Sequence, residues 1–129
     1  MRVLIVDDVP SVRQSLHALL TLTGDLEVVG EAANGLEGVQ MAARLGPDVV
    51  LMDLQMPLLD GYAATREIVR RGLPCTVVAL TIHDDPVSRA RAQSAGIRAF
   101  LCKGGSLQEI SAALRACRPS GASYDTGRR

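Results

Sequence analysis

The sequence predicts an α/β domain built on one parallel sheet, with helices on both faces. Three observations carry that prediction. Short runs rich in Val, Leu and Ile alternate with longer segments of helical period. The runs are continuously apolar, as expected of strands covered on both faces. The alternation occurs five times in 129 residues, the length of one domain.

The elements follow in order. Val3–Val6 is the first strand, and Ser11–Leu22 the first helix, with Val12, Leu16, Leu19 and Leu20 on one face. Gly24 stops that helix. "LEVVGEA", Leu26–Ala32, is the second strand. Leu36–Leu45 is a helix bearing Leu36, Val39, Ala42 and Ala43, ended by Gly46-Pro47. "DVVLMD", Asp48–Asp53, is the third strand, and Asp60–Arg71 a helix capped by Asp60. "CTVVAL", Cys75–Leu80, is the fourth strand, followed by a helix over Asp84–Ala95. Arg98–Leu101 is a short fifth strand. Ser106–Cys117 is the last helix, with Ser106 as its cap and Leu107, Ile110, Leu114 and Cys117 inside. The fourth helix offers mainly Val87, Ala90, Ala92 and Ala95 for burial. Small side chains bury little area, so this helix is expected to be the most weakly held. Residues 1–118 form the domain, and 119–129, polar with Gly, Ser and Pro, read as a tail or the start of a linker.

Composition excludes several functions. Fourteen Lys and Arg balance fourteen Asp and Glu, and aromatic residues make up only 2% of the chain. Neither a basic face nor a base-stacking platform is expected, so this chain should not bind nucleic acid. No apolar run approaches the length of about 18 residues that a membrane span needs, and the start lacks a signal-peptide pattern. Cys75, Cys102 and Cys117 lie far apart without metal-ligand spacing, as expected of reduced thiols in a cytoplasmic protein.

The polar residues fall at strand ends. Asp7 and Asp8 close strand one, Asp53 closes strand three, Thr81 follows strand four and Lys103 follows strand five. In such sheets, active groups gather at the carboxyl edge. Two like charges about 4 Å apart repel by roughly 4 kcal/mol at an effective dielectric near 20. Three carboxylates therefore call for a hard cation with oxygen ligands. Mg²⁺ suits them, because it takes a few carboxylates and keeps waters and a phosphate oxygen. With Lys103 the charges then balance, and the chemistry points to Asp53 as a nucleophile forming an aspartyl phosphate.

Five stretches identify a family resemblance: "VLIVDDVPSVRQSLHALL", "EAANGLEGV", "PDVVLMDLQMPLLDGYAATREI", "VVALTIHDD" and "AGIRAFLCKG". Over residues 1 to 118 the chain resembles receiver domains of bacterial two-component response regulators. The wording is most similar to the NarL/FixJ type. The resemblance implies a flavodoxin-like (βα)5 fold, doubly wound, with strand order 2-1-3-4-5. It implies Asp53 as phosphoacceptor, with phosphate coming from a sensor histidine kinase. Asp8 and Asp53 would bind Mg²⁺ directly, the Gln55 backbone carbonyl would add a ligand, and Asp7 would act through water. Thr81 and Lys103 would hold the phosphoryl group. Phe100 would be the switch aromatic that moves with Thr81, altering the surface of helix 4, strand 5 and helix 5. An output domain, a partner protein or a second copy, in a homodimer, would read that surface.

Two positions depart from the wider family pattern. Ile82 stands where a small residue is common, and is expected to screen the phosphoryl group from water. Gly104 follows Lys103 where Pro is common, which leaves the geometry of that peptide bond open. His83 could face the site, and His17 is expected on the solvated face of helix one. The chain could be the receiver of a DNA-binding transcription regulator, or a stand-alone regulator acting by protein contact or as a phosphate sink. Beyond its own phosphorylation and dephosphorylation, no enzymatic turnover is expected. An aspartate-nucleophile phosphatase would need a second Asp two residues after its nucleophile on strand one. A flavin or nucleotide binder would need a phosphate-cradling loop where "DDVPSV" is acidic.

Overall fold

The computed structural model describes residues 1–82 and 84–117. In order, the elements are β1 (Arg2–Val6), α1 (Pro10–Thr21), β2 (Glu27–Ala32), α2 (Gly35–Leu45), β3 (Val49–Met52), α3 (Gly61–Arg70), β4 (Thr76–Thr81), α4 (Pro86–Ala95), β5 (Ala99–Cys102) and α5 (Leu107–Ala116). The sheet is parallel throughout, in the order β2-β1-β3-β4-β5. Every expected element is present within two residues of its expected bounds.

Side chains alternate across the sheet. Val3 and Ile5 of β1, Val49 and Leu51 of β3, and Val78 and Leu80 of β4 join Leu16, Leu20, Ile110 and Leu114, so α1 and α5 cover one face. Leu4, Val6, Val50, Met52, Val77 and Ala79 face the other way, onto Val39, Ala42, Tyr62, Ala64, Ile68, Ala92 and Ala95 of α2, α3 and α4. β1, β3 and β4 are fully buried apart from Arg2 at the start of β1, which explains their unbroken apolar runs.

Two side chains expected inside are exposed instead, Leu19 of α1 and Leu36 of α2. Each helix offers more apolar positions than its docked face can cover, and docking chooses among them. Val87 of α4 is exposed as well, leaving Ala92 and Ala95 as that helix's buried residues. The small buried face expected of α4 is therefore observed, and it is smaller still than the sequence suggests. No peptide bond is cis among the described residues, so the Lys103–Gly104 bond is trans, with Gly104 at φ 93°. Residues 118–129, expected to end the domain and form a polar tail, and His83 lie outside the described residues.

Candidate functional site

The topology brings the polar strand ends together. Asp7 directly follows β1, and its N–H still donates to the Ala32 carbonyl at 3.0 Å. Asp53 directly follows β3 and donates its N–H to the Val6 carbonyl at 2.9 Å. Ladder bonds thus carry both residues one step past their strands, side by side. The Lys103 N–H does the same on β4, donating to the Thr81 carbonyl at 2.8 Å. Behind Asp53, the start of α3 lies against the backbone of Asp53 and Leu54, where a Cβ on Gly61 would collide with the Asp53 carbonyl. Only glycine permits that approach.

The acidic pair also leaves strand geometry, as the site requires. β1 stops at Val6 and α1 begins at Pro10. Between them the Val9 N–H donates to Asp7 Oδ1 at 2.9 Å, and Arg13 Nη1 donates to the Asp7 carbonyl at 2.7 Å. The turn lets Asp7, Asp8 and Asp53 each offer a carboxylate oxygen within 4.8 Å of the others.

Lys103 lies between two of these carboxylates. Its Nζ is 2.9 Å from Asp7 Oδ2 and 3.3 Å from Asp53 Oδ2. Asp7 and Asp53 are almost fully buried, at 2% and 5% exposure. Burial pushes the Asp53 carboxyl above its ordinary range, and the Asp7 charge adds to the effect. The Gln55 N–H, at 3.3 Å from Asp53 Oδ1, and Lys103 offset it only in part. Burial pulls the Lys103 ammonium down, but its hydrogen bond to Asp7 and the charges of Asp53 and Asp7 hold it above its usual value. Asp7 has partners for both oxygens, whereas Asp8 lies nearer solvent and accepts no hydrogen bond among the described residues.

Thr81 was expected just after β4; it is the strand's last residue, wholly buried and in register with Cys102. The fifth strand likewise extends to Cys102. Ladder pairing prolongs both strands past their apolar runs. Phe100 is partly buried opposite Ala79, on the sheet face that Thr81 also uses. The Arg89 guanidinium carbon lies 4.7 Å from its ring centre, and Arg89 also pairs with Asp84. Ile82 is 73% exposed. His17 is exposed, with Nδ1 2.7 Å from Glu31 Oε2.

Sequence reasoning missed three features here. Leu58, at the tip of the β3–α3 loop, is exposed at φ 68°. The Cys102 thiol donates to Asp84 at 3.1 Å. Arg13 reaches the Asp7 carbonyl, and the available signal was a basic residue on the first helical turn after the acidic pair.

A family model for the response regulator receiver domain matches residues 3–115. The LiaR transcriptional regulatory protein of Bacillus subtilis is 43% identical over 118 residues, spanning 90% of this chain and 55% of LiaR. The GacA response regulator of Pseudomonas viridiflava is 39% identical over 115 residues, spanning 89% of this chain and 54% of GacA. The chain thus spans about half the length of the curated relatives it matches. Among solved structures, the receiver domain of NarL from Mycobacterium tuberculosis superposes with a TM-score of 0.87 at 34% identity, covering 90% of this chain and 94% of that one. The receiver domain of the sensor histidine kinase PA1611 from Pseudomonas aeruginosa superposes with a TM-score of 0.80 at 32% identity, covering 89% and 94%. That structure holds a magnesium ion in its active-site cleft.

Proposed function

The chain belongs to the response regulator receiver family, and from that premise we propose that Asp53 is its phosphoacceptor. Taking phosphate from a histidine kinase is the general role of such domains. The observation that carries the assignment is the placement of Asp53. Its carboxylate is buried at the carboxyl edge, beside Asp7 and Asp8 and within 3.3 Å of Lys103 Nζ.

In the proposed step, an Asp53 oxygen attacks the phosphorus of a phosphohistidine on the sensor kinase. The P–N bond breaks, its electron pair returns to the imidazole, and an acyl phosphate forms on Asp53. Lys103 moves from pairing two carboxylates to pairing the phosphoryl oxygens. The Thr81 hydroxyl donates to another of them. Phe100, which shares a sheet face with Thr81, follows it and shifts the weakly held α4. The surface formed by α4, β5 and α5 then signals to an output domain, to a partner or to a second copy in a homodimer.

The residues present fit Mg²⁺. Every donor is oxygen, and three carboxylates offer oxygens within 4.8 Å of one another with the single ammonium of Lys103 beside two of them. Asp8, whose carboxylate accepts no hydrogen bond among the described residues, and Asp53 would hold the ion directly, with the Gln55 carbonyl, and Asp7 through water. The bound ion would neutralise charge on the transferring phosphoryl group.

The curated relatives are transcriptional and response regulators, and the matched segment is 55% of LiaR and 54% of GacA. We therefore read the chain as the receiver of a cytoplasmic DNA-binding regulator, with residues 1–118 as the receiver and 119–129 as tail or linker. It has no turnover beyond its own phosphorylation and dephosphorylation, and no DNA contact of its own. Among the described residues no helix is long and apolar enough to cross a membrane. Labelling with acetyl phosphate, with and without Mg²⁺, tests the core of this reading. Wild type should label only with Mg²⁺ and Asp53→Asn should not label. Equal labelling of the variant overturns the assignment.

A further inference from the structure

The geometry points to Arg13 as a positioning residue for the acidic pocket: its guanidinium, anchored by Glu31, fixes the Asp7 carbonyl so that Asp7 and Asp8 turn toward one cation. The inference rests on the Mg²⁺ reading above. Adjacent residues in a strand point to opposite faces, so two neighbouring carboxylates can serve one ion only if the backbone between them is held out of strand geometry. Val9, the residue before α1, makes no side-chain cap. Backbone bonds hold its ends, from the Asp7 N–H to the Ala32 carbonyl and from the Val12 and Arg13 N–H groups to the Val9 carbonyl. Side-chain contacts are left to fix the turn between them.

Two of them do. The Asp7 carboxylate accepts the Val9 N–H at 2.9 Å, which closes the turn from within. From outside, Arg13 Nη1 donates to the Asp7 carbonyl at 2.7 Å, taking hold of the peptide that joins Asp7 to Asp8. The same guanidinium is itself held, with Nε 3.4 Å from Glu31 Oε1 on β2. The other Glu31 oxygen meets His17 Nδ1 at 2.7 Å. Arg13 is largely buried and Glu31 partly so, whereas His17 is half exposed. A row of side chains thus runs from helix face through edge strand to the carbonyl between the two acids. A guanidinium suits this place because its fork reaches two acceptors at fixed angles, which a lysine ammonium on a flexible stem does not.

Electrostatics gives the proposal a sharp sign. Arg13 is a positive charge close to a cation site, so as a mere charge it opposes Mg²⁺. As a positioning group it favours Mg²⁺. Removing it therefore moves affinity in opposite directions under the two roles.

The experiment is Mg²⁺ titration of the protein by calorimetry, for wild type, Arg13→Met, Arg13→Lys, Glu31→Gln and Asp8→Asn. Thermal unfolding in EDTA serves as a control on the fold. Partners that orient metal ligands are typically worth ten- to a hundredfold in affinity. Arg13→Met is expected to bind Mg²⁺ about tenfold more weakly. Arg13→Lys should fall close to it, although the charge is kept, and Glu31→Gln should weaken binding less. Amide resonances of Asp7, Asp8 and Val9 should shift in Arg13→Met before any Mg²⁺ is added. Equal or tighter binding by Arg13→Met, or wild-type binding by Arg13→Lys, overturns the positioning role while leaving the metal site intact. No Mg²⁺ binding by wild type, or unchanged binding by Asp8→Asn, overturns the site and this role with it. Should Arg13→Met fail to fold, Glu31→Gln decides, and wild-type affinity there overturns the role.

Discussion

Helices α2 and α4 begin and end alike, yet they are held very differently. Both have an Asx N-cap, Asn34 accepting from the Glu37 N–H and Asp85 from the Ser88 N–H. Both end on a left-handed glycine, Gly46 or Gly96. Between those ends α2 buries Gly35, Gly38, Val39 and Ala42, while α4 buries Ala92 and Ala95 alone. What else holds α4 lies at its rim. Arg89 reaches over Phe100, and Arg91 over Tyr62, 4.0 Å from the ring centre. Arg91 also comes within 3.8 Å of Asp60. Caps define where a helix starts and stops; buried area decides how firmly it docks. A helix that can be shifted by an event at a neighbouring strand end is one whose ends are well defined and whose docked face is thin.

Four measurements would break or sharpen this contrast. The largest effect is expected on the α2 side. A Cβ on Gly35 would collide with the Leu59 carbonyl, whose oxygen also accepts the Gly35 N–H. Backbone cannot yield as a side-chain tip can, so Gly35→Ala should cost about 3 kcal/mol in urea unfolding. A cost under about 1 kcal/mol would mean that α2 is not rigidly seated. Next, Asp85→Ala removes the α4 cap at about 1 kcal/mol. Its signature should be local: faster amide exchange through α4, with α2 unchanged. Exchange that quickens equally in both helices would merge them into one cooperative unit. Smaller still, Arg91→Ala should cost about 0.5 kcal/mol, and α4 amides should register it before global unfolding does.

The fourth effect is small and of opposite sign. Burial and Asp7 raise the Asp53 proton affinity in the folded state. Its charged form therefore opposes folding. Whatever stability the protonated group contributes is complete at low pH and is lost as pH rises through the folded-state value. At pH 7 in EDTA, Asp53→Asn should accordingly raise the melting temperature slightly, and the gain should vanish in acid, where wild-type Asp53 is protonated. Millimolar Mg²⁺ should raise the wild-type melting temperature and have less effect on the variant. A variant that melts lower at pH 7 in EDTA would show that the Lys103 and Gln55 contacts outweigh burial.

Much of this was legible in the chain itself. Strands buried on both faces must be apolar throughout, so β1, β3 and β4 announced themselves, and their polar successors marked the site edge. The thin face of α4 was legible because alanine cannot bury more than it has. The exposure of Leu19 and Leu36 was not, because periodicity identifies a face without choosing which of its residues the sheet will cover. Nor was Thr81 placed correctly, since the polar end of β4 is prolonged by pairing with β5. Arg13 was legible only as a basic residue one turn after the acidic pair; what it and Glu31 reach was not, for a different reason. Their contact joins a helix to an edge strand, and its target is a carbonyl, which every residue has.

The pairing of Lys103 with Asp7 carries a consequence for the protein's birth. Nearly all of the described chain separates the two residues, which meet at 2.9 Å. Ribosomes add about 5–20 residues per second, so Asp7 emerges roughly 5–20 s before its ammonium partner. β1 can pair with β2 early, but its second neighbour, β3, is made only after α2. Throughout that interval the nascent acidic pair has no lysine to meet. Translation thus delivers all three of the pocket's carboxylates before its lysine.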